Sequence, residues 1–114
     1  MDKLTTYRHY IKDVLASYAN LPTGDDSIKR EVLFDVEHDR YQLLIIGWQG
    51  HKRFHSTIIH VDIIGEQIWI QYDMTETGVA NDFVALGVPK EDIVLAFHAP
   101  YKRKYTGYGD GISI

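Results

Sequence analysis

The chain has 114 residues, of which 45% are hydrophobic and 25% are charged, and its formal net charge is -4 at pH 7. This length fits one domain with its own core, and the acidic balance argues against a surface that attracts phosphate as a whole. The chain has no cysteine, which excludes disulfides, thiol nucleophiles and cysteine-based zinc sites and is typical of cytoplasmic proteins. We find no signal peptide and no run approaching the roughly 20 apolar residues of a membrane helix. We therefore expect a single domain over residues 1–114, in the cytoplasm and without a membrane partner.

The first segment, from Lys3 to about Asn20, predicts an amphipathic helix. Its charged residues fall mostly away from one apolar stripe. Pro22 and Gly24 follow it and predict its end. The apolar stripe consists of Leu4, Tyr7, Ile11, Val14, Leu15 and Tyr18.

Four runs rich in Val, Ile, Phe, Tyr and Trp come next, with a turn signal between each run and the following one. Such short runs at short intervals predict a four-stranded antiparallel meander. The four predicted strands are Ile28–Glu37, Arg40–Trp48, Arg53–Ile64 and Gln67–Tyr72.

A second helix and a further short strand are predicted after the meander. The segment Asp73–Glu76 resembles a capped helix start, and Gly87 with Pro89 beyond it predicts the helix end. Pro89–Asp92 predicts a single turn, and Ile93–Phe97 predicts a short buried strand. The fold class that follows is α+β, with a four- to five-stranded antiparallel sheet, an N-terminal helix and a second helix packed on it.

Both faces of the predicted sheet are apolar if each hairpin loop holds an even number of residues. Because a lone antiparallel sheet usually keeps one face in water, we expect a second copy or a partner protein to bury part of one face. A β-bulge that shifts the register, or helices lying on opposite faces, are the alternatives. One predicted face contains Val32, Phe34, Val36, Tyr41, Leu43, Ile45, Phe54, Ile58 and Trp69, and the other contains Leu33, Leu44, Ile46, Trp48, Thr57, Ile59, Val61, Ile63, Ile68, Ile70 and Tyr72.

The chain has 6 histidines, and none occurs at a recognised metal-ligand spacing. On the predicted pairing, Tyr41 and Gln71 flank His60, while Asp62 and Asp73 lie further along the same face. A cluster of this kind can hold a metal or act as a base, although it is more often the hydrogen-bonded polar edge of a sheet. We expect no catalytic residue, no metal and no cofactor, and a small His/Asp-based enzyme is the weakest of the functional alternatives.

The segment Tyr101–Tyr105 places three consecutive cations between two tyrosines. It can contact phosphates and stack on bases, it can dock on an acidic protein surface, or it can be a solvated turn. The glycine-rich pattern Gly107–Gly111 after it looks superficially like a phosphate-binding loop, but no helix can follow it within this chain. We predict a flexible tail there.

Several motifs spread along nearly the whole chain resemble the XisI family, small proteins described as excision controlling factors in cyanobacteria. The resemblance is most specific in the late run Leu86–His98, which is followed by Lys104, Tyr105 and Thr106. The glycine-rich end from Gly107 departs from the short apolar stretch with which members commonly close. The other matching motifs are Leu4-Thr5-x-Tyr7, Tyr41-Gln42-Leu43-Leu44 followed by Gly47-Trp48, His60-Val61-Asp62-Ile63 and Ile68-Trp69-Ile70-Gln71.

The resemblance implies an accessory, regulatory role in programmed DNA excision, carried out through protein contacts and without catalysis. It implies a second small factor, the nuclease-like XisH, as a partner, and it supplies no catalytic residues. We also expect self-association, while direct DNA binding by Tyr101–Tyr105 is the main alternative function. The residues predicted to contact a partner are Trp48, His98, Tyr101, Lys102, Arg103, Lys104 and Tyr105.

Overall fold

The computed structural model describes residues 2–112. No helix among these residues has both the length and the apolar character needed to cross a membrane. The elements in chain order are α1 (Lys3–Ala19), β1 (Ile28–Asp35), β2 (Arg40–Gln49), β3 (Lys52–Ile64), β4 (Gln67–Asp73), α2 (Val79–Ala85), a 3₁₀ turn (Lys90–Asp92), β5 (Ile93–Leu95) and a C-terminal 3₁₀ helix (Pro100–Tyr105).

The five strands form one sheet in the order β1-β2-β3-β4-β5. The first four strands pair antiparallel, as the predicted meander requires, and β5 pairs parallel to β4. The predicted α+β class is confirmed, and the predicted strand bounds agree with the structure within a few residues.

Helix α1 follows the predicted stripe and packs on one face of the sheet. Asp2 caps its start by accepting a hydrogen bond from the Thr5 amide at 2.8 Å, which satisfies one of the free amides of the first turn. The Tyr18 hydroxyl donates to Asp82 at 2.7 Å and so joins α1 to α2. The buried residues of α1 are Tyr7, Ile11, Val14 and Leu15.

Helix α2 begins later than predicted. Asp73 does not start the helix but ends β4, and its carboxylate accepts hydrogen bonds from the amides of Thr75 and Val79. The capping role of Asp73 is thus real, but it acts across a loop instead of within one helical turn. The predicted end is confirmed, since the helix ends at Ala85 with Leu86 as its C-cap, and Gly87 follows with φ +100, a conformation that favours glycine.

The even-loop assignment of sheet faces is wrong from Ile59 to Ile70. Ile58 in β3 has no partner on β2, and Gln71 in β4 has none on β3, so each adds one residue to its strand. These two irregularities are β-bulges, and the first switches the following residues of β3 to the opposite face. The bulge alternative is therefore correct, and Trp69 lies on the face opposite Tyr41 instead of beside it. Both helices pack on the single core face of the sheet. The fully or nearly fully buried residues of the core formed by the helices and this face include Tyr41, Leu43, Ile59, Val61, Ile63, Ile68, Ile70, Val79, Phe83 and Ile93.

The C-terminal segment covers part of the other face, called here the outer face. Gly109 forms a parallel bridge with Val94, and its amide donates to the Ile93 carbonyl at 2.8 Å. A Cβ on Gly111 would lie 2.8 Å from the Trp69 ring, so glycine is needed for this close packing. The predicted flexible tail is therefore wrong up to Ile112, while Ser113 and Ile114 lie outside the described residues. Over β1 and β2, in contrast, the outer face leaves Leu33 57% and Trp48 52% exposed.

Candidate protein-interaction site

The C-terminal 3₁₀ helix projects two tyrosines into solvent. Tyr101 is 71% exposed and Tyr105 is 77% exposed. The amine of Lys102 lies 5.7 Å from the centre of the Tyr101 ring, and that of Lys104 lies 5.1 Å from the centre of the Tyr105 ring. Tyrosine is among the residue types in which protein interfaces are enriched, so these two exposed rings are candidate contact residues.

Arg103 differs from the two lysines beside it because it faces inward. Its guanidinium donates to the carbonyls of Ala96 and His98, both at 3.0 Å. It also lies 5.4 Å from the centre of the Trp69 ring, within the range of a cation–π interaction. Arg103 therefore fixes the 3₁₀ helix to the outer face of the sheet, and it was predicted as a contact residue because the sequence does not distinguish it from its neighbours.

An open groove of about 460 Å³ runs beside the 3₁₀ helix. Three of the predicted contact residues line it: His98, Lys102 and Tyr105. Leu95 forms an apolar part of its wall, and Thr106 is the remaining lining residue. The groove thus combines an apolar wall, an aromatic ring and a cation in one place.

Phe97 lies next to His98 at the edge of this surface and was not among the predicted contact residues. It is 49% exposed, and its ring centre lies 4.7 Å from that of His98. The sequence predicts Phe97 as the last residue of a buried strand, but β5 ends at Leu95. The chain then turns, and the His98 amide donates to the Leu95 carbonyl, which releases Phe97 to solvent.

Trp48 is not part of this surface. It pairs with Arg53 on β3, whereas Trp69, on which the 3₁₀ helix packs, pairs with Asp62. Nine residues of one strand separate these two pairing positions, which corresponds to about 30 Å. The Arg53 guanidinium lies 5.2 Å from the centre of the Trp48 ring. The cation next to Trp48 is therefore Arg53, and not a residue of the C-terminal 3₁₀ helix.

The predicted histidine cluster is only partly assembled. His60 hydrogen-bonds Asp62 at 2.9 Å, and the Gln71 amide donates to the same carboxylate at 3.2 Å. Tyr41 lies on the opposite face, and Asp73 is engaged at the start of α2, because the two bulges separate them from His60. Over residues 2–112 no three histidine or acidic side chains come close enough to hold a metal ion.

One ion pair joins helix α1 to the turn between β1 and β2 and has a structural role. Arg8 of α1 forms two hydrogen bonds with the Asp39 carboxylate, at 2.7 and 3.0 Å. This guanidinium lowers the pKa of Asp39, while burial raises the pKa of the neighbouring Tyr41 to about 12. The pair holds α1 to the β1–β2 turn, where Asp39 adopts φ 52.

Comparison with known proteins agrees with the resemblance seen in the sequence. The family model described as XisI protein matches residues 1–110. A XisI-like protein from Anabaena variabilis ATCC 29413 is 40% identical, with 93% of this chain and 97% of that chain covered and a TM-score of 0.88. The fdxN element excision controlling factor XisI from the same organism is 34% identical, with 96% and 100% covered and a TM-score of 0.83. No curated protein matches the chain. The chain therefore belongs to the XisI family.

Proposed function

We propose that this protein is a non-catalytic accessory factor that controls programmed DNA excision by binding a second protein through its C-terminal 3₁₀ helix. The observation that carries the proposal is the groove lined by His98, Lys102 and Tyr105 beside two tyrosines held in solvent. Support for the excision role comes from the similar protein from Anabaena variabilis, which is an fdxN element excision controlling factor. A XisH-like protein is the partner that family membership suggests.

The chemistry of the groove favours an acidic and partly apolar segment of that partner. Lys102 in the groove and the exposed Lys104 near it supply positive charge, and the Leu95 wall accepts an apolar side chain. Tyrosines contribute contact area at low entropic cost, so Tyr101 and Tyr105 are the expected centres of binding energy. Arg103 contributes indirectly, because it holds the helix in place.

The test is a calorimetric titration of a XisH-like protein with the wild-type chain and with Tyr101→Ala/Tyr105→Ala. Loss of two central aromatic contacts is expected to weaken binding by about a hundredfold or more. Trp48→Ala is the matched control, since it removes an exposed aromatic side chain about 30 Å away along the strands. If circular dichroism shows that the double variant is folded and its affinity is unchanged, the proposal is contradicted.

Direct DNA binding by the same segment is the second candidate, and the geometry favours it less. With Arg103 turned inward, only Lys102 and Lys104 of the three consecutive cations face solvent. Two phosphate contacts would give a slope of log affinity against log salt of only about -1.8, which is too shallow for tight binding. Filter binding at two salt concentrations tests this candidate: DNA retention whose affinity falls with that slope would support it, and no retention would remove it.

A further inference from the structure

Strand β1 is an edge of the sheet, and half of its backbone groups point away from β2. Ile28 pairs with Gly47, and the Trp48 amide donates to the Ser27 carbonyl at 3.3 Å. In an antiparallel ladder this bond marks Ile28 as a non-hydrogen-bonded position, and the alternation continues along the strand. The residues that consequently direct their amide and carbonyl groups outward are Ile28, Arg30, Val32 and Phe34.

The outward backbone groups of Ile28 are hydrogen-bonded within the chain, whereas in the part of the chain that the structure describes those of the other three residues are not. The Ile28 amide donates to the Asp25 carbonyl, and the Ile28 carbonyl accepts from the Thr23 hydroxyl at 2.9 Å. Within residues 2–112 the outward groups of Arg30, Val32 and Phe34 find no such partner.

Two further features keep the open part of β1 accessible. The Arg30 guanidinium is drawn to the carbonyls of Leu21 and Pro22, so that side chain does not cover its own backbone. Natural edge strands commonly contain a proline or a β-bulge, either of which hinders pairing with another chain. Strand β1 contains no proline, and its pairing with β2 contains no bulge.

We propose that a second copy of this chain adds its own β1 to this edge, antiparallel and across a two-fold axis at Val32. In this register Val32 pairs with Val32 of the second copy, and Arg30 pairs with Phe34 of the second copy on each side of the axis. All three open positions then exchange two backbone hydrogen bonds per pair, which is the pattern of an antiparallel ladder. The two valines, each 40% exposed in the single chain, become neighbours at the axis.

Charge complementarity selects this register among those that the backbone allows. It places Lys29 beside Asp35 of the second copy, twice by symmetry, and both residues are exposed. A two-fold axis at Glu31 would set two glutamates against each other, and an axis at Leu33 would set Glu31 against Asp35. An axis at Arg30 would oppose two arginines and would need Ile28, whose backbone is already engaged. Like charges directly opposite each other destabilise strand pairs.

Asp35 is available for this pairing although it already has a partner. Its carboxylate accepts from the His38 amide and contacts the His38 ring at 2.8 Å. A carboxylate has about four acceptor sites, so a lysine can be added without loss of those bonds. The turn therefore positions Asp35 for the Lys29 amine of the second copy.

The interface is small, so the dimer is expected to depend on concentration. We expect three ladder pairs and two ion pairs to bury less than the roughly 1,000 Å² of a stable specific complex. Sedimentation velocity over about a hundredfold range of concentration should therefore show a monomer–dimer equilibrium. A single monomeric species across the range would overturn the proposal.

A charge-swap experiment tests the register. Lys29→Glu places two glutamates opposite the two Asp35 side chains, and Asp35→Lys places two lysines opposite the two Lys29 side chains. Each variant is expected to raise the dissociation constant of the dimer about tenfold. Mixed in equal amounts, the two variants form a heterodimer in which both pairs are again opposite in charge, so dimerisation should return. The matched control is Glu31→Lys, which changes a charge at a position that faces Leu33 in this register and keeps both Lys29–Asp35 pairs, so it is expected to dimerise like the wild type. A dimer weakened about tenfold by Glu31→Lys, or no recovery in the mixture of Lys29→Glu with Asp35→Lys, would overturn the register.

Val32→Pro tests the ladder itself. Because the Val32 amide points outward, proline removes a hydrogen bond of the dimer and none of the β1–β2 ladder, and proline is tolerated at such edge positions. We expect a folded monomer, with the circular dichroism spectrum of the wild type. A dimer that survives Val32→Pro would contradict pairing through β1. Neither this variant nor the charge swap touches the C-terminal 3₁₀ helix, so the outcome is independent of the proposed function.

Discussion

Replacing Arg103 by alanine is expected to release the C-terminal segment from the outer face of the sheet. The guanidinium makes two hydrogen bonds to carbonyls and lies against the Trp69 ring. Alanine removes all three contacts and leaves the Ala96 carbonyl, which is partly buried, without its donor. The groove beside the 3₁₀ helix should then lose its fixed shape, although none of its lining residues is changed.

The size of the effect follows from the exposure of each contact. The bond to the Ala96 carbonyl is partly buried and contributes about 1.5 kcal/mol, as hydrogen bonds from charged donors do. The bond to the His98 carbonyl is exposed and adds little. The cation–π contact adds about 0.5 kcal/mol. We therefore expect Arg103→Ala to lower the free energy of unfolding by about 2 kcal/mol, with the loss concentrated in the C-terminal segment.

Tryptophan fluorescence is a direct assay, because the chain has 2 tryptophans and one of them reports on the contact. In a Trp48→Phe background only Trp69 emits. Arg103→Ala should shift its emission to the red and increase its quenching by acrylamide, and urea unfolding should show the lost stability. Lys102→Ala and Lys104→Ala, which remove exposed cations, should stay within about 0.5 kcal/mol of the parent. Arg103→Ala with unchanged Trp69 emission and stability would refute the anchoring role.

Two other substitutions test the packing of the chain. Gly109→Ala places a Cβ 2.5 Å from the Glu91 carbonyl oxygen, so the backbone must shift, and thermal unfolding should show a loss of about 1–3 kcal/mol. An unaltered melting temperature would contradict that close approach. Asp39→Asn keeps a side chain that tolerates positive φ but removes the charge held by Arg8. Because Arg8 lowers the folded-state pKa of Asp39, the stabilisation is present above the unfolded value of about 3.9 and is lost as the pH falls through the lowered one. The stability difference between wild type and Asp39→Asn in urea titrations should accordingly shrink below about pH 4, and a difference that grows there would contradict the assigned sign.

The elements were predictable from the sequence because their signals are local. Apolar spacing in α1, runs of β-branched and aromatic residues in the strands, and Gly87 after α2 each act within a few residues. The sheet faces were not predictable, since Thr57, Ile58 and Ile59 are all compatible with either face and the bulge at Ile58 leaves no mark in the sequence. A change of one residue in register exchanges the two faces of everything that follows.

The candidate site was predictable as a segment but not in the roles of its side chains. The sequence singles out Tyr101–Tyr105 as basic and aromatic, yet the opposite directions of Arg103 and its neighbouring lysines depend on where Trp69 lies. Trp69 was placed on the wrong face, so nothing pointed to an anchor. The glycines at 109 and 111 were read as a sign of flexibility, whereas they permit close packing against β5 and Trp69.

The measurement that tests the central claim most directly is amide hydrogen exchange of this chain with and without a XisH-like protein. Binding through the 3₁₀ helix predicts slower exchange across Leu95–Thr106, while residues 48–53 at the Trp48 hairpin stay unchanged. The β1 edge should respond to the concentration of this chain and not to the partner. A stable complex in which Leu95–Thr106 exchanges as fast as in the free chain would contradict the account.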